Sequence, residues 1–158
     1  MAQTLIIVPC GSAKIWDKDP GRGCTPAREA YTGPPFTVNV RYAERFATQW
    51  RILSAKYGFI APEFEICSSY NTTFKKKSSH PIGVDALHVQ IRAQQLYEFD
   101  TCIGLGGKEY RAVLDAAFAP WSIQVIFPFA GLRLGDGMSA INDALQRGSP
   151  FPSQGHGA

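Results

Sequence analysis

Short apolar strands alternate with amphipathic helices along this chain, and that alternation constrains its fold more than any other feature. The first strand, Thr4–Pro9, is a continuous apolar run, as expected for a strand buried on both faces of a parallel sheet. Farther along, Tyr110, Leu114 and Phe118 recur at the spacing of one helix face. The order β-α-β-α-β-α-β-α predicts an α/β fold: a three-layer sandwich with a mostly parallel central sheet of about four strands and helices on both faces.

The predicted elements leave one long segment without a regular period. Strands are expected at Thr4–Pro9, 50–54, 101–105 and 122–127, and helices at 27–31, 36–47, 84–98, 110–118 and around 138–145. Residues 55–82 follow neither period, and such a segment inside a compact domain is usually functional or mobile. We expect residues 1–147 to form a single domain, followed by a flexible tail at 148–158 that is rich in Gly, Pro and Ser.

Composition excludes several classes of protein. The chain has 158 residues, of which 45% are hydrophobic and 18% charged, which suits one domain with a full core and not a disordered protein. Its formal net charge of +3 is lower than that of a polybasic nucleic-acid binder. No apolar run approaches the roughly 18 residues of a membrane span. The N-terminus also lacks the basic and apolar regions of a signal peptide, so we expect a cytoplasmic protein that does not contact membranes.

The four cysteines, Cys10, Cys24, Cys67 and Cys102, include no closely spaced pair. A zinc site normally has ligands closer together in the sequence, so neither a metal nor another cofactor is expected. Two disulfides are the alternative, but a chain of this size without an export signal does not need them. We therefore expect four free thiols.

The predicted fold places its candidate site at one edge of the sheet. Right-handed crossovers bring the carboxyl ends of all parallel strands to the same edge, where ligands of such folds bind. The loops at 10–14, 54–58, 106–109 and 128–136 leave the predicted strands at that edge. Because these loops carry glycines and basic side chains, we expect them to converge on an anionic ligand.

Loop 10–14 has a functional and a structural interpretation. Gly11 lets the backbone approach an anion closely, and Ser12 and Lys14 are candidates for contacts with phosphate or ribose. The alternative is an ordinary turn after a strand. Cys10 is likewise either a small packed residue or a covalent nucleophile.

The two later loops contain further candidates for anion binding. Gly106 and Gly107 precede a helix whose N-terminal amides, together with the ammonium of Lys108, favour an anion. Glu109 falls in the first turn of that helix, where it is either a favourable partner of the helix dipole or a site carboxylate. Arg133, in the last loop, is suited to bidentate binding of phosphate.

Three further features also leave two interpretations open. Asp136 is either the N-cap of the last helix or a general base. The basic run at 75–77 is either a solvated loop or a contact for a nucleic-acid backbone. A set of aromatic side chains is suited either to stacking on a base or to filling the core: Trp16, Tyr57, Tyr70 and Phe74.

One stretch resembles a known family more specifically. Residues 52–60 read Ile-Leu-Ser-Ala-Lys-Tyr-Gly-Phe-Ile and are followed by Pro62, Ile66 and Tyr70-Asn71-x-Thr73. Together with Val8-Pro9-Cys10-Gly11-Ser12-x-Lys14 and Ala30-Tyr31-Thr32-Gly33, this pattern resembles a family of small bacterial and phage proteins of unknown function. It is more distantly similar to the YaaA peroxide-stress proteins and to the uracil-DNA-glycosylase-like domain of archaeosine-synthesis enzymes, which share a Leu-Ser-x-x-Tyr-Gly turn.

The resemblance implies a three-layer α/β fold and a role in nucleic-acid or nucleobase metabolism. The residues that it implies for the site are Cys10, Ser12, Lys14, Ser54, Lys56, Tyr57, Gly58, Tyr70 and Asn71. Uracil-DNA glycosylases have an Asp-Pro-Tyr-type loop that activates water after their first strand. The corresponding position here reads Cys10-Gly11-Ser12, and Asp17 is the first carboxylate after it.

The leading hypothesis is an enzyme that hydrolyses the bond between a nucleobase and its sugar, in a nucleotide or in a nucleic acid. The oxocarbenium-like transition state of that reaction needs a carboxylate, for which Asp136, Glu109 and Asp17 are the candidates, in that order. The residues expected to hold phosphate are Lys14, Lys56, Lys108 and Arg133, and those expected to stack on the base are Tyr57 or Tyr70. A noncatalytic nucleic-acid-binding module and a sensor of free nucleotides are the alternatives.

Overall fold

A five-stranded, mostly parallel sheet with helices on both faces forms the core of the computed structural model, which describes residues 2–151. The strands are β1 (Thr4–Pro9), β2 (Thr25–Pro26), β3 (Gln49–Ser54), β4 (Gly58–Ile60), β5 (Glu65–Ile66), β6 (Thr101–Gly104) and β7 (Gln124–Ile126). The helices are α1 (Ala27–Ala30), α2 (Pro34–Phe46), α3 (Val84–Gln94), α4 (Lys108–Phe118) and α5 (Leu134–Arg147). Short 3₁₀ helices occupy Ile15–Asp17, Lys77–Ser79 and Leu96–Glu98. Among the described residues, no helix has the length and apolarity needed to cross a membrane.

The α/β fold predicted from the sequence is confirmed, with five strands in the main sheet where about four were expected. The strand order is β4-β3-β1-β6-β7, and only β4 is antiparallel to its neighbour. β4 is the additional strand, and it is three residues long. It lies within residues 55–82, where the apolar residues follow no regular period, so the pattern does not reveal it.

The central strand β1 is buried on both faces, as its apolar run predicts. Ile6 and Val8 belong to the core cluster that contains α2 and α5, whereas Leu5 and Ile7 belong to the cluster that contains α3 and α4. None of these four side chains is more than 1% exposed. Since burial of apolar area is the main driving force of folding, β1 connects the two outer layers through the sheet.

Helix α3 covers the edge strand β4. Gln90 accepts a hydrogen bond from the N–H of Phe59 at 2.8 Å, and Gln94 donates one to the carbonyl oxygen of Phe59 at 2.9 Å. Gln90 also donates to the carbonyl oxygen of Tyr57 at 2.8 Å. An edge strand with free backbone N–H and C=O groups can pair with a strand of another chain. The two glutamines instead bond backbone groups of this edge within the same chain.

The prediction of four free thiols is wrong for two of the cysteines. Cys24 and Cys67 form a disulfide, whereas Cys10 and Cys102 are free. β2 pairs with β5 in an antiparallel ladder with Thr25 opposite Ile66, which brings the flanking cysteines together across a sequence separation of 43. Strands of two residues are too short to show a period, so the sequence carries no signal for this pairing.

The last helix begins earlier than expected. Arg133, a neighbour of Asp136, is the N-cap of α5, and Asp136, for which the N-cap is one of two interpretations of the sequence, lies inside the first turn. Beyond the helix, Phe151 packs against Phe129 with ring centroids 4.7 Å apart, and its N–H donates to the Tyr42 hydroxyl at 3.0 Å. The rest of the tail predicted to be flexible, residues 152–158, lies outside the described residues.

Candidate functional site

A cleft of about 760 Å³ opens at the carboxyl edge of the sheet, where the order of the strands reverses. β1 lies between β3 and β6 in the sheet. After β1, the chain first forms β3 and β4 on one side of it and later forms β6 and β7 on the other side. The connection after β1 leads to α2 on one face, and the connection after β6 leads to α4 on the opposite face. A gap opens between such diverging connections, and this is where ligands bind in open α/β sheets.

Three of the four predicted loops contribute to the cleft. Its lining comprises residues 9–14 after β1, residues 105–107 after β6, and Phe129, Leu132, Arg133 and Leu134 after β7. Three helices and one irregular segment contribute the other lining residues. These are residues 33–36 with Asn39 at α2, Tyr110 and Arg111 of α4, Gly137, Met138 and Ile141 of α5, and residues 70–73 with Lys75 in the irregular segment.

The lining is electropositive. Four of its side chains are basic, namely Lys14, Lys75, Arg111 and Arg133, and within the described chain no lining residue is Asp or Glu. The first turns of α2 and α5 and the N-cap of α4 also line the cleft. Helix N-termini carry partial positive charge from their unpaired N–H groups. The arrangement therefore favours an anionic ligand.

Lys14 is the most deeply buried of these cations, with 4% of its surface exposed. Its Nζ donates to the carbonyl oxygens of Gly11 at 3.2 Å and Ser12 at 3.1 Å, and it lies 4.4 Å from the centre of the Tyr70 ring. Burial lowers the pKa of Lys14, because water no longer solvates its charge. The ammonium thereby holds both carbonyl groups and fixes the backbone of loop 10–14 at the floor of the cleft.

Three hydroxyl groups form a hydrogen-bonded chain behind the cleft. The Tyr70 hydroxyl lies 2.7 Å from Ser54 Oγ and 2.5 Å from the Tyr31 hydroxyl. All three residues are buried. Burial is the main reason why the pKa values of Tyr31 and Tyr70 are raised, so both hydroxyls keep their protons at neutral pH. These hydrogen bonds fix the position of Tyr70, which also lines the cleft.

Cys10 follows β1 and faces Tyr110 from the other side of the gap. The Cys10 Sγ lies 3.2 Å from the Tyr110 hydroxyl, which also donates to the carbonyl oxygen of Cys10 at 3.2 Å. The Tyr110 ring packs edge-on against Phe74, with centroids 5.5 Å apart. Burial raises the pKa of Tyr110, so its hydroxyl is a neutral hydrogen-bonding partner for the thiol and not a base.

The tyrosines make the folded protein sensitive to alkali. Burial raises the pKa values of Tyr31, Tyr42, Tyr70 and Tyr110 above the ordinary value of 10.0. Above pH 10, the unfolded chain therefore releases protons that the folded chain keeps, and the free energy of unfolding falls as the pH rises. In an alkaline titration we expect the tyrosinate absorbance of these four residues to develop together with the loss of circular dichroism. Ionisation of all six tyrosines before any unfolding would contradict this expectation.

The Leu-Ser-x-x-Tyr-Gly stretch, which the resemblance placed in the site, forms the hairpin between β3 and β4. Ser54 Oγ accepts hydrogen bonds from the N–H groups of Lys56 and Tyr57, both at 3.1 Å, and so closes the turn. Gly58 has a φ of +80°, and a Cβ there would lie 2.1 Å from a side-chain oxygen of α3. None of these four residues lines the cleft. The turn contacts the cleft indirectly, because the Tyr57 ring and the Lys56 ammonium pack on Tyr70, which lines the cleft.

The three predicted catalytic carboxylates also lie outside the lining. Asp17 accepts a hydrogen bond from the N–H of Lys14 at 2.8 Å and so caps a 3₁₀ helix. Glu109 and Asp136 occupy the first turns of α4 and α5, where a negative charge complements the helix dipole, and Lys108 is exposed at the start of α4. Within residues 2–151, no group of three or more His, Cys, Asp or Glu side chains is placed to hold a metal ion.

Sequence reasoning missed two kinds of cleft residue. Arg111 lies in the first turn of α4, and its guanidinium donates to the carbonyl oxygen of Gly106 at 3.3 Å. A basic residue in the first turn of a helix that starts at the ligand-binding edge would have indicated it. The apolar residues of the lining carry no comparable signal, because in the sequence they are indistinguishable from core residues: Pro34, Pro35, Phe36, Leu132, Leu134 and Met138.

Comparison with known proteins identifies the family of the chain. The model of DUF6884, a family of unknown function, matches residues 5–143. The chain belongs to this family. It is also 34% identical over 143 residues to the uncharacterized protein YfjM of Bacillus subtilis (strain 168), and the match covers 90% of this chain and 95% of YfjM. No solved structure matches the chain.

The match confirms the expected resemblance to a family of unknown function. Neither comparison supports the more distant similarity to the YaaA proteins or to the uracil-DNA-glycosylase-like domain, which stays a prediction. Every residue that lines the cleft falls between residues 9 and 141, inside the range matched by DUF6884. The cleft is therefore built entirely from the part of the chain that the family describes.

Proposed function

We propose that this protein binds a nucleotide in the cleft, with the phosphate at its basic side and the base on its apolar side. The observation that carries the proposal is the charge of the lining, which has four cations, three helix N-termini and, within the described residues, no carboxylate. An anion that enters the cleft therefore meets basic side chains and helix N-termini, and no carboxylate among the lining residues that the structure describes. A phosphate is the anion that such helix N-termini commonly bind.

The turn after β6 suits a phosphate group. Gly106 has a φ of +121°, and a Cβ added to it would lie 3.0 Å from the Pro9 side chain. The N–H groups at the start of α4 follow directly. Arg111 is held beside this turn by its hydrogen bond to Gly106, and Lys75 lines the cleft from the irregular segment. Charged donors of this kind form stronger hydrogen bonds to phosphate than neutral ones do.

The part of the lining that α2, α5 and Phe129 contribute suits a flat, apolar ring. Phe36 of α2, Phe129 after β7, and Met138 and Ile141 of α5 contribute apolar surface to the lining. The volume of about 760 Å³ lies within the usual size of small-molecule sites, roughly 300–1,000 Å³. A nucleoside monophosphate combines the required negative charge with a ring of suitable size.

The geometry favours binding over hydrolysis of the N-glycosidic bond. A carboxylate is needed near the sugar to stabilise an oxocarbenium-like transition state or to orient water. The candidates Asp17, Glu109 and Asp136 lie outside the lining, and each has a structural role at a helix N-terminus. The nucleotide-sensing alternative is therefore the function we propose.

A panel of ligands tests this proposal. The nucleotides AMP, GMP, CMP and UMP would be compared with adenosine, which lacks the phosphate, and with ribose 5-phosphate, which lacks the base. We expect at least one nucleotide to raise the melting temperature by roughly 5–10 °C, since a ligand at 100 times its Kd adds about 2.7 kcal/mol to the free energy of unfolding. Adenosine and ribose 5-phosphate should have much smaller effects.

The same panel can overturn the proposal. Equal stabilisation by adenosine and AMP would remove the role of the phosphate, and no effect of any nucleotide would remove the proposal itself. Chromatography of each mixture would detect a released base, which would restore the hydrolase hypothesis. A short oligonucleotide belongs in the panel because exposed Lys76 and Lys77 continue from the cleft residue Lys75, and binding of the oligonucleotide alone would favour a nucleic-acid ligand.

A further inference from the structure

One wall of the cleft is an irregular segment, residues 67–82, here called the cleft segment. It contributes Tyr70, Asn71, Thr72, Thr73 and Lys75 to the lining. Apart from the 3₁₀ helix at Lys77–Ser79, it contains no helix or strand. From Cys67 to Thr72, the described backbone forms no hydrogen bond with another backbone group. This wall therefore depends on a few anchors for its position.

The cleft segment is anchored at a few identifiable places, one of which is the packing of the Phe74 ring on Tyr110. At its far end, the N–H of Ile82 donates to the carbonyl oxygen of Ala55 at 2.8 Å. In its middle, the Tyr70 hydroxyl bonds to Ser54 and Tyr31. At its near end, Cys67 is joined to Cys24 by the disulfide, next to the two-residue ladder of β2 and β5. The disulfide is the only covalent anchor among the described residues.

Cys24, the other cysteine of the disulfide, lies in the loop that follows β1. Trp16 Nε1 donates to the carbonyl oxygen of Arg22 at 2.7 Å, and the Thr25 hydroxyl donates to that of Gly23 at 3.0 Å, so the chain on both sides of Cys24 is held in place. The disulfide thus connects the cleft segment to an ordered part of the fold. Both of its cysteines are exposed, in contrast to Cys102, which is completely buried.

We propose that the Cys24–Cys67 disulfide is a redox-sensitive clasp that holds the cleft segment in its ligand-binding position. In the reductive step, a dithiol supplies two electrons and two protons, the bond between the sulfur atoms breaks, and both cysteines become thiols while the dithiol is oxidised to its own disulfide. After reduction the near end of the cleft segment is held only by the two-residue ladder of β2 and β5, so Tyr70 and Lys75 occupy their positions in the lining for only part of the time. The proposal rests on the proposed function wherever it concerns ligand affinity.

The test compares oxidised protein with protein reduced by dithiothreitol, first without a ligand. Hydrogen exchange of the backbone amides in residues 67–76 should be faster in the reduced protein, while exchange in β1 and β6 should not change. The double variant Cys24→Ser/Cys67→Ser is the matched control, because it lacks the clasp and should show fast exchange with or without dithiothreitol. Cys10 and Cys102 remain in that variant, so any response that depends on them would still be seen.

The second part of the test measures AMP binding by calorimetry. We expect reduction to weaken binding by about tenfold, which corresponds to a binding-competent arrangement that is populated about one-tenth of the time. The Cys24→Ser/Cys67→Ser variant should bind as weakly as the reduced protein in both conditions. Circular dichroism of each sample would confirm that the sheet and helices remain folded.

The outcomes separate this proposal from the proposed function. If oxidised protein does not bind AMP, the proposed function fails for this ligand, and the exchange data alone decide whether the clasp exists. If exchange in residues 67–76 is the same before and after reduction, the clasp is overturned whatever AMP does. If AMP binds equally well to both forms, the disulfide does not control the cleft.

Discussion

If the cleft binds AMP as proposed, replacing Lys75 and Arg111 together with glutamine should weaken that binding by roughly 100-fold, since each charged hydrogen bond contributes about 1.5 kcal/mol and 1.4 kcal/mol is a factor of ten. Both side chains line the cleft, Lys75 from the cleft segment and Arg111 from the first turn of α4. Glutamine keeps much of the length and hydrogen-bonding capacity of these side chains but removes their charges. Calorimetric titration of the double variant with AMP measures the effect.

A matched control separates a local contact from a general effect of charge. Lys18 and Arg41 are exposed and do not line the cleft, so Lys18→Gln/Arg41→Gln removes the same net charge elsewhere on the surface. This control should bind AMP within about threefold of the unchanged protein, because screened charges interact weakly beyond a Debye length of about 8 Å. Equal losses in the two double variants would show that AMP responds to net charge and not to the cleft.

Much of the fold can be predicted from the sequence because the strands and helices of its parallel core have recognisable local patterns of apolar residues. A strand buried on both faces must be a continuous apolar run, and Thr4–Pro9 has the limits that the sequence predicts. The helical stripe that ends at Phe118 likewise corresponds to α4. Once strands and helices alternate, right-handed crossovers determine which edge holds the site. That general rule is why loops far apart in the chain could be assigned to one cleft.

The remainder of the site depends on contacts that local patterns do not encode. The turn at 54–58 has the polar and glycine content of a ligand-binding loop, but Ser54 closes a hairpin and Gly58 fits a backbone conformation that other residues avoid. Cys24 and Cys67 meet only because two short strands pair across the domain. The roles of charged residues are also hard to predict, as Glu109 and Asp136 show. In the sequence, a carboxylate that stabilises the first turn of a helix cannot be distinguished from one that contacts a substrate.

The largest effect on stability is expected at Gly104, the last residue of β6. A Cβ added there would lie 2.7 Å from both Leu114 Cδ1 and Phe127 Cε1, far inside normal contact distance. Leu114 is completely buried, so it has little space into which it can move. Overpacking of this kind costs about 2 kcal/mol, so Gly104→Ala should lower the melting temperature by roughly 4–8 °C for a domain of this size. Thermal unfolding followed by circular dichroism measures the change.

Gly135 supplies the control for Gly104, because the same substitution there should have the opposite sign. Gly135 lies in the first turn of α5, and a Cβ added to it meets nothing within 4 Å. Alanine loses less backbone entropy than glycine when a helix forms, so Gly135→Ala should raise the free energy of unfolding by about 0.5–1 kcal/mol. If both substitutions stabilise the protein, Gly104 is not tightly enclosed, and the packing of α4 against β6 leaves room for a methyl group. Because Gly107, the N-cap of α4, lines the cleft, Gly104→Ala should also weaken AMP binding.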